Sequence, residues 1–272
     1  MCGYGPAAPG TMNNRGHHDR GVPPMHAAGP PARRAVLTGG LAAAATAVAA
    51  VALTGCSSPR APRATTAAPE PRPDTPKAAF ARLMEGNARW VSGELDHPDR
   101  DPERRQLVAE VQEPFGVVLT CIDSRVAPEL VFDTGLGDLY VLRTGGQAIG
   151  PVVTGSVEYG PMTGGTPLIV VLGHQRCGAI EAAYTSLQDG TPLPGNLQAI
   201  VKALGPAYLL TVENPGADPV DTMIHQQIRV TAEDLRTNSD LAPLVRKGAL
   251  AVVGAYYSLD TGKVDVLTGA PT

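Results

Sequence analysis

Two apolar segments that end abruptly at metal-binding residues constrain this chain more than any other feature of its sequence. The first reads FGVVLTCIDSRV from residue 115 to residue 126, and the second reads VVLGHQRCG from residue 170 to residue 178. Continuous apolar runs of this length favour strands buried on both faces, as in a parallel sheet, and ligand sites in such sheets lie beyond the carboxyl ends of the strands. We therefore expect two strand ends to bring Cys121, Asp123, His174 and Cys177 together.

The sequence after residue 75 alternates between strand-like and helix-like patterns. This alternation predicts an α/β domain with a mostly parallel central sheet of four to five strands flanked by helices. Thr75 and Pro76 predict the start of a first helix, which Gly93 ends. The predicted strands are 115–120, 139–143, 167–172, 249–256 and 263–267, and the further predicted helices are 103–111, 151–162, 177–187, 197–210 and 218–238. A short turn at 260–263 predicts a terminal hairpin whose last strand is antiparallel.

The first part of the chain has a different character. Residues 1–32 are rich in Gly and Pro and almost lack aliphatic side chains, so they cannot bury enough apolar surface to fold. Arg33 and Arg34 precede an uncharged Ala/Val/Leu run at 35–53, which is typical of an export signal. The run ends in Leu-Thr-Gly-Cys, which resembles a bacterial lipobox, so we expect lipidation of Cys56. The alternative is an uncleaved helix that anchors the chain in the membrane.

These patterns divide the chain into three parts. Residues 1–56 are predicted to be an N-terminal extension with an export and lipoprotein signal, 57–75 a Pro/Ala-rich extended linker, and 76–272 the folded domain. We expect translation to begin at Met25, because a short basic segment before the apolar run is sufficient for a signal. The domain would then lie outside the cytoplasmic membrane, with the lipid anchor as its membrane contact.

The cysteines and the net charge reduce the number of possible functions. A net charge of -4 gives no reason to expect a nucleic-acid partner. Of the four cysteines, only Cys121 and Cys177 lie in the predicted domain, and in an exported protein they could form a disulfide. The nearby Asp123 and His174 favour zinc instead, because zinc takes sulfur, imidazole and carboxylate ligands in sets of four, or of three with a water. The paired arginines resemble a twin-arginine signal, whose exporter carries folded proteins. Zinc could then be loaded in the reducing cytoplasm before export.

The segments CIDSR at 121–125 and HQRCG at 174–178, with His174 following Cys121 by 53 positions, resemble the β-class carbonic anhydrases. The signature of that family is Cys-x-Asp-x-Arg followed by His-x-x-Cys, and the resemblance covers roughly residues 76–267. Ile122 departs from the usual Ser, and Thr-Gly-Gly at 144–146 departs from the frequent Asn-Ala-Gly. The resemblance implies an enzyme that hydrates CO2 reversibly to bicarbonate and a proton, and the N-terminal signal adds the expectation of an exported, lipid-anchored bacterial member.

The resemblance also implies roles at the zinc site. Cys121, His174 and Cys177 are the expected ligands, with water or Asp123 in the fourth position. Zinc lowers the pKa of a bound water from about 15.7 to about 7, and the hydroxide formed would attack CO2. Asp123 and Arg125 would form a dyad, since a guanidinium fork can hold a carboxylate in two parallel hydrogen bonds. While it is paired with Arg125, Asp123 would accept a proton from the water bound to zinc. Once released from Arg125, Asp123 would instead bind the zinc in the fourth position.

By the same resemblance, Gln112 would donate a hydrogen bond to substrate, and Tyr140 and Tyr159 would line an apolar CO2 pocket. Gly145 and Gly146 would allow close backbone approach near it. Members of the family are dimers or tetramers in which the N-terminal helix reaches over the partner. Gln112 and Tyr159 would therefore complete the site of the partner subunit. Arg143 receives no catalytic role, His225 is expected to be a packing or surface residue, and no residue is assigned as proton shuttle.

Two other functions stay open on the sequence alone. Relatives of this fold hydrolyse COS or CS2, and no pocket residue excludes these substrates here. A non-catalytic lipoprotein with a closed structural zinc is an alternative of another class. Loss of Asp123 or Arg125 would mark that second alternative, and both residues are present.

Overall fold

The computed structural model describes residues 71–272. The predicted N-terminal extension, the export signal, Cys56 and most of the predicted linker lie outside the described residues. The described end of that linker lies on the domain, because Pro73 is buried and the Arg72 guanidinium donates to the carbonyl oxygens of Pro114 at 3.0 Å and Gly164 at 3.4 Å. Ordered contacts with the domain therefore begin before Pro76.

One five-stranded sheet forms the centre of the domain. Its strands are β1 (Gly116–Cys121), β2 (Leu139–Thr144), β3 (Leu168–His174), β4 (Ala251–Tyr257) and β5 (Val264–Thr268). They lie in the order β2-β1-β3-β4-β5, and only β5 runs antiparallel to its neighbour. The predicted fold class is confirmed. The first and third strands extend to Cys121 and His174, beyond their predicted ends, because pairing with neighbouring strands continues there.

Helices cover both faces of the sheet. They are α1 (Pro76–Ser92), α2 (Pro102–Leu107), α3 (Pro128–Val131), α4 (Pro151–Gly164), α5 (Gly178–Asp189), α6 (Leu197–Glu213), α7 (Pro219–Thr237) and α8 (Ala242–Arg246). Alternate strand residues face opposite layers. Val117 and Leu119 belong to the core shared with α4 to α7, whereas Val118 packs with α1 and α3. The site described below lies on the side of α5 and α6.

The first helix has the ends that the sequence predicts. The Thr75 hydroxyl accepts a hydrogen bond from the Ala78 amide at 3.3 Å, Pro76 occupies the first helical position, and Gly93 ends the helix with a φ of 79°. Within the described residues, none of the helices combines the length and apolarity that crossing a membrane requires. The apolar run at 35–53 lies outside that part of the chain.

A buried carboxylate joins α1 to the loops beside it. The Asp133 side chain is fully buried and accepts hydrogen bonds from Arg89 Nε at 2.7 Å and from the amides of Asp96 and His97 at 2.9 and 3.1 Å. Burial by itself would raise the pKa of Asp133, but these hydrogen bonds outweigh it and hold the pKa below its ordinary value. Asp133 is therefore ionised in the folded protein at neutral pH.

Candidate metal centre

The carboxyl ends of two adjacent strands place three metal donors together. Cys121 ends β1, His174 ends β3, and Cys177 is the residue immediately before α5. All three are buried, and their donor atoms lie within 4.8 Å of one another. The two sulfurs are 3.7 Å apart and both thiols are free. Since a disulfide requires about 2.05 Å between its sulfurs, the structure presents two separate ligands.

His174 offers one nitrogen to this cluster. Its Nδ1 lies 3.0 Å from the Gln175 carbonyl oxygen, which only accepts, so we assign the ring proton to Nδ1. Nε2 then carries a lone pair, and this buried atom has no hydrogen-bond partner among residues 71–272. An orphaned buried nitrogen is costly unless a ligand satisfies it, and metal-bound histidines are oriented by such a bond at the other nitrogen. The imidazole therefore fits a metal ion.

The environment of Cys121 stabilises a thiolate. Its pKa is lowered, chiefly by the hydrogen bond from Cys177, against the effect of burial, and further by the nearby His174 imidazole and the Gly146 amide. That amide lies 3.4 Å from Cys121 Sγ. The pKa of Cys177 is raised, first by its hydrogen bond with Cys121 and then by burial. One thiol of the pair ionises readily, and two sulfurs with one imidazole form a donor set that suits zinc.

The two glycines predicted near the substrate directly follow β2, and Gly146 contacts a metal donor. Gly146 has a φ of 62°, and a Cβ there would lie 3.1 Å from Ile180 Cδ1 and 3.2 Å from Leu204 Cδ1. A Cβ on Gly145 would approach Ile200 Cδ1 to 2.9 Å. The lack of side chains lets the backbone come close enough for its amide to reach Cys121.

Asp123 lies beside the cluster, held by Arg125. Arg125 Nε donates to Oδ1 at 2.8 Å, Nη2 donates to Oδ2 at 2.7 Å, and the Arg125 amide also donates to Oδ1 at 3.0 Å. The hydrogen bond from the Arg125 side chain is the main reason that the pKa of Asp123 is lowered to about 2. Asp123 Oδ2 lies 3.9 Å from His174 Nε2. The carboxylate thus faces the donors while Arg125 holds it.

Arg143 supports the same turn, a role that sequence reasoning missed. Its Nε donates to the carbonyl oxygen of Cys121 at 3.0 Å, and its Nη2 donates to that of Asp123 at 2.5 Å. The side chain thereby attaches β2 to the segment that carries a metal donor and the carboxylate. Backbone carbonyls accept such bonds whatever their side chains, so no residue pattern could have indicated the contact.

The predicted substrate residues divide into two groups away from the donors. Tyr140 on β2 and Tyr159 on α4 pack edge to face with ring centroids 5.9 Å apart, and both line an open groove of about 430 Å³. None of the three donors lines this groove. Gln112 is exposed and precedes β1, whose other end is Cys121. A strand of six residues separates its two ends by roughly 17 Å, so Gln112 cannot reach the donors of its own chain.

Two thiols and an imidazole at the carboxyl edge of a parallel sheet, with an ion-paired carboxylate beside them, define an α/β zinc enzyme. The family model described as carbonic anhydrase matches residues 116–264. The chain belongs to the β-class carbonic anhydrases, whose cofactor is zinc.

Two curated relatives share most of the chain. The sequence is 40% identical over 189 residues to carbonic anhydrase 2 of Mycobacterium tuberculosis, with 69% of this chain and 91% of the relative covered. It is 41% identical over 192 residues to a carbonic anhydrase of Mycolicibacterium smegmatis, with 70% and 93% covered.

Solved structures share the fold. A chain from the crystal structures of two tetrameric β-carbonic anhydrases of Sordaria macrospora has a TM-score of 0.57 at 21% identity, with 71% of this chain and 98% of that chain covered. The β-carbonic anhydrase CcaA has a TM-score of 0.55 at 24% identity, with 71% and 99% covered.

Proposed function

We propose that the chain interconverts CO2 and bicarbonate at a zinc ion held by Cys121, His174 and Cys177. The observation that carries this proposal is that Asp123, which with water is one of the two candidates for the fourth position, is engaged by Arg125. Structural zinc sites are closed by four protein ligands, whereas catalytic sites keep one position for water or substrate. Three donors and a restrained carboxylate support a catalytic site over the alternative of a structural zinc.

The chain's own residues have distinct tasks in this proposal. A zinc ion bound here supplies a strong nucleophile at neutral pH by lowering the pKa of water. Asp123 accepts a hydrogen bond from the reacting water and orients it, since its lowered pKa keeps the carboxylate ionised. Arg125 keeps Asp123 at that place and away from the fourth metal position. The Gly146 amide supports the charge on Cys121.

The substrate proposed is CO2. Both curated relatives described above carry the name carbonic anhydrase, and they match this chain over most of their length. This supports CO2 over COS or CS2. A comparison of hydration and hydrolysis rates on one preparation tests this choice, and faster turnover of COS or CS2 would overturn it.

We infer that the working unit is an oligomer. Gln112 and the metal donors lie at opposite ends of β1, so only another copy could bring Gln112 to a metal site. Tyr159, Val152 and Met162 on α4 are half-exposed or more in the single chain, which supports a partner at the groove. Light scattering tests this inference, and an active monomer would contradict it.

We also propose that the chain is exported and lipid-anchored at Cys56. The support lies in the sequence, in the paired arginines, the uncharged run at 35–53 and the Leu-Thr-Gly-Cys segment that ends it. An uncleaved N-terminal helix is the competing form of anchor.

The experiment that tests the catalytic proposal measures zinc content and CO2 hydration on the same purified chain. We expect about one zinc per chain and rapid hydration, and we expect Cys177→Ala to lose both because two donors hold zinc poorly. Asp265→Asn, an exposed change on β5, serves as a control that keeps both. Full hydration by a preparation free of metal would overturn the proposal.

A further inference from the structure

Asp260, in the turn between β4 and β5, binds the segment that carries two metal donors. Its Oδ1 accepts from Arg176 Nη2 at 2.7 Å, and its Oδ2 accepts from Arg176 Nη1 at 3.0 Å and from Gln175 Nε2 at 2.9 Å. The Gln175 side-chain oxygen in turn accepts from the Asp260 amide at 3.4 Å. Both residues between His174 and Cys177 are therefore attached to the hairpin.

Arg176 has a backbone conformation that needs such support. Its φ is 51°, in the left-handed region that non-glycine residues rarely adopt. Residues persist in that region where the surrounding structure holds them, and such residues cluster at functional sites. Asp260 holds the Arg176 side chain, while the amide of the preceding Gln175 donates to the Tyr257 carbonyl at 2.9 Å. These contacts restrain the backbone segment that carries the Arg176 carbonyl.

The Arg176 carbonyl meets the dyad. Arg125 Nη2 donates to it at 3.2 Å and also donates to Asp123 Oδ2 at 2.7 Å. The Arg125 guanidinium thus lies between one carboxylate that it orients and one carbonyl that the hairpin holds in place. A displaced Arg176 would remove the second of these contacts.

We propose that Asp260 is a positioning residue for the reaction, which acts through Arg176 to keep Arg125 on Asp123. This inference rests on the proposed function in that it takes the Asp123–Arg125 pair to serve catalysis. The sequence indicates only a turn at Asp260, because the partners of its carboxylate lie more than 80 positions earlier in the chain.

The exposure of the Arg176–Asp260 pair indicates that the pair affects the geometry of the site and not the stability of the fold. The Arg176 and Asp260 side chains are 54% and 58% exposed, and ion pairs this exposed add little to stability. A purely structural pair in this place would have no measurable consequence. A positioning pair would change turnover while zinc content and the melting temperature stay the same.

The test compares Asp260→Asn with Asp265→Asn in the zinc-loaded full chain. Asp265 is the matched control, because it lies on the same hairpin, pairs with Lys263 at 2.6 Å and is 53% exposed. We expect Asp260→Asn to lower kcat/KM by roughly threefold to tenfold, the usual coupling within one network, and the control to leave it unchanged. Asp260→Glu should restore most of the loss. Equal activities of Asp260→Asn and the control would overturn the proposal.

A second measurement follows Arg125 directly. The Nε–Hε NMR signal of Arg125 should exchange its proton with water faster in Asp260→Asn than in wild type, in both zinc-loaded and metal-free protein. In an Arg125→Ala background, Asp260→Asn should have no further effect on kcat/KM, and losses that multiply would overturn the proposal. If Arg125→Ala keeps wild-type activity, the proposed role of the dyad fails, and the NMR signal alone then supports or overturns the link through Arg176.

Discussion

Arg125 and Asp123 are joined by two parallel hydrogen bonds, at 2.8 Å from Nε to Oδ1 and at 2.7 Å from Nη2 to Oδ2. Asp123 Oδ2 is at the same time only 3.9 Å from His174 Nε2, the donor atom that faces the metal position. A small movement of the carboxylate would therefore carry it from its partner toward the metal. We therefore expect the strength of the guanidinium contact to decide whether Asp123 stays on Arg125.

Arg125→Lys should separate charge from geometry at this pair. A lysine keeps the positive charge but cannot form two parallel hydrogen bonds with a carboxylate. We expect kcat/KM to fall by about tenfold to a hundredfold through the misplaced carboxylate, with zinc content unchanged. Arg105→Lys on the exposed face of α2 is the control. Unchanged hydration kinetics in Arg125→Lys would show that the fork is not required.

Gly146→Ala should weaken both the fold and the metal site. The new Cβ would press on Ile180 and Leu204, and left-handed φ disfavours any Cβ by about 1–2 kcal/mol. Gly165→Ala isolates the second effect, because Gly165 has the same φ of 62° and a Cβ added there would meet no atom within 4 Å. We expect Gly146→Ala to lower the free energy of unfolding by roughly 1–3 kcal/mol more than the control, from overpacking. Urea unfolding of the two variants measures their free energies of unfolding, and equal losses in Gly146→Ala and Gly165→Ala would contradict the packing argument.

Asp133→Asn should make stability depend less on pH. The folded pKa of Asp133 lies below its ordinary value of 3.8, so its stabilisation is present above the unfolded pKa and is lost as pH falls through the folded pKa. At pH 7 we expect the variant to lose about 2 kcal/mol, because a charged acceptor of three hydrogen bonds is replaced. The difference from wild type should shrink as the pH falls below 3.8. Urea unfolding at several pH values tests this, and a constant difference would contradict it.

Cys56→Ala should abolish lipid attachment. If Cys56 is the lipidated residue, a radiolabelled fatty acid should enter the wild-type protein and not the variant, and the variant should leave the membrane fraction. Thr65→Ala, a change within the predicted linker, should keep the label. Retention of the variant in the membrane without label would favour an uncleaved helix.

Local patterns predicted most of the fold. The caps of α1 at Thr75 and Gly93 depend on bonds within a few residues, and the apolar runs of the central strands reflect burial on both faces. The five-residue helix α8 was not predicted, because a segment so short carries too little periodicity. Strand ends also differed by one or two residues, since pairing with a neighbour extends a strand past its apolar residues.

The metal donors were predictable and their supports were not. Cys121, His174 and Cys177 have side chains whose chemistry is specific and whose spacing is visible in the sequence. Arg143 and Asp260 are common surface residue types, and their partners lie 20 or more positions away. The partners of Arg143 and Asp260 are set by the folded sheet and hairpin, and no local sequence pattern indicates them.

Two of the metal donors, Cys121 and His174, lie on β1 and β3, which are neighbours in the sheet although β2 and α4 separate them along the chain. Thr120 is paired with Leu172, so the pocket exists only after a crossover of about fifty residues has closed. A slip of one residue in this pairing would turn His174 to the opposite face of the sheet. Zinc bound at this site would therefore stabilise only chains whose central strands have paired in the correct register, and we expect metal uptake to come late in folding.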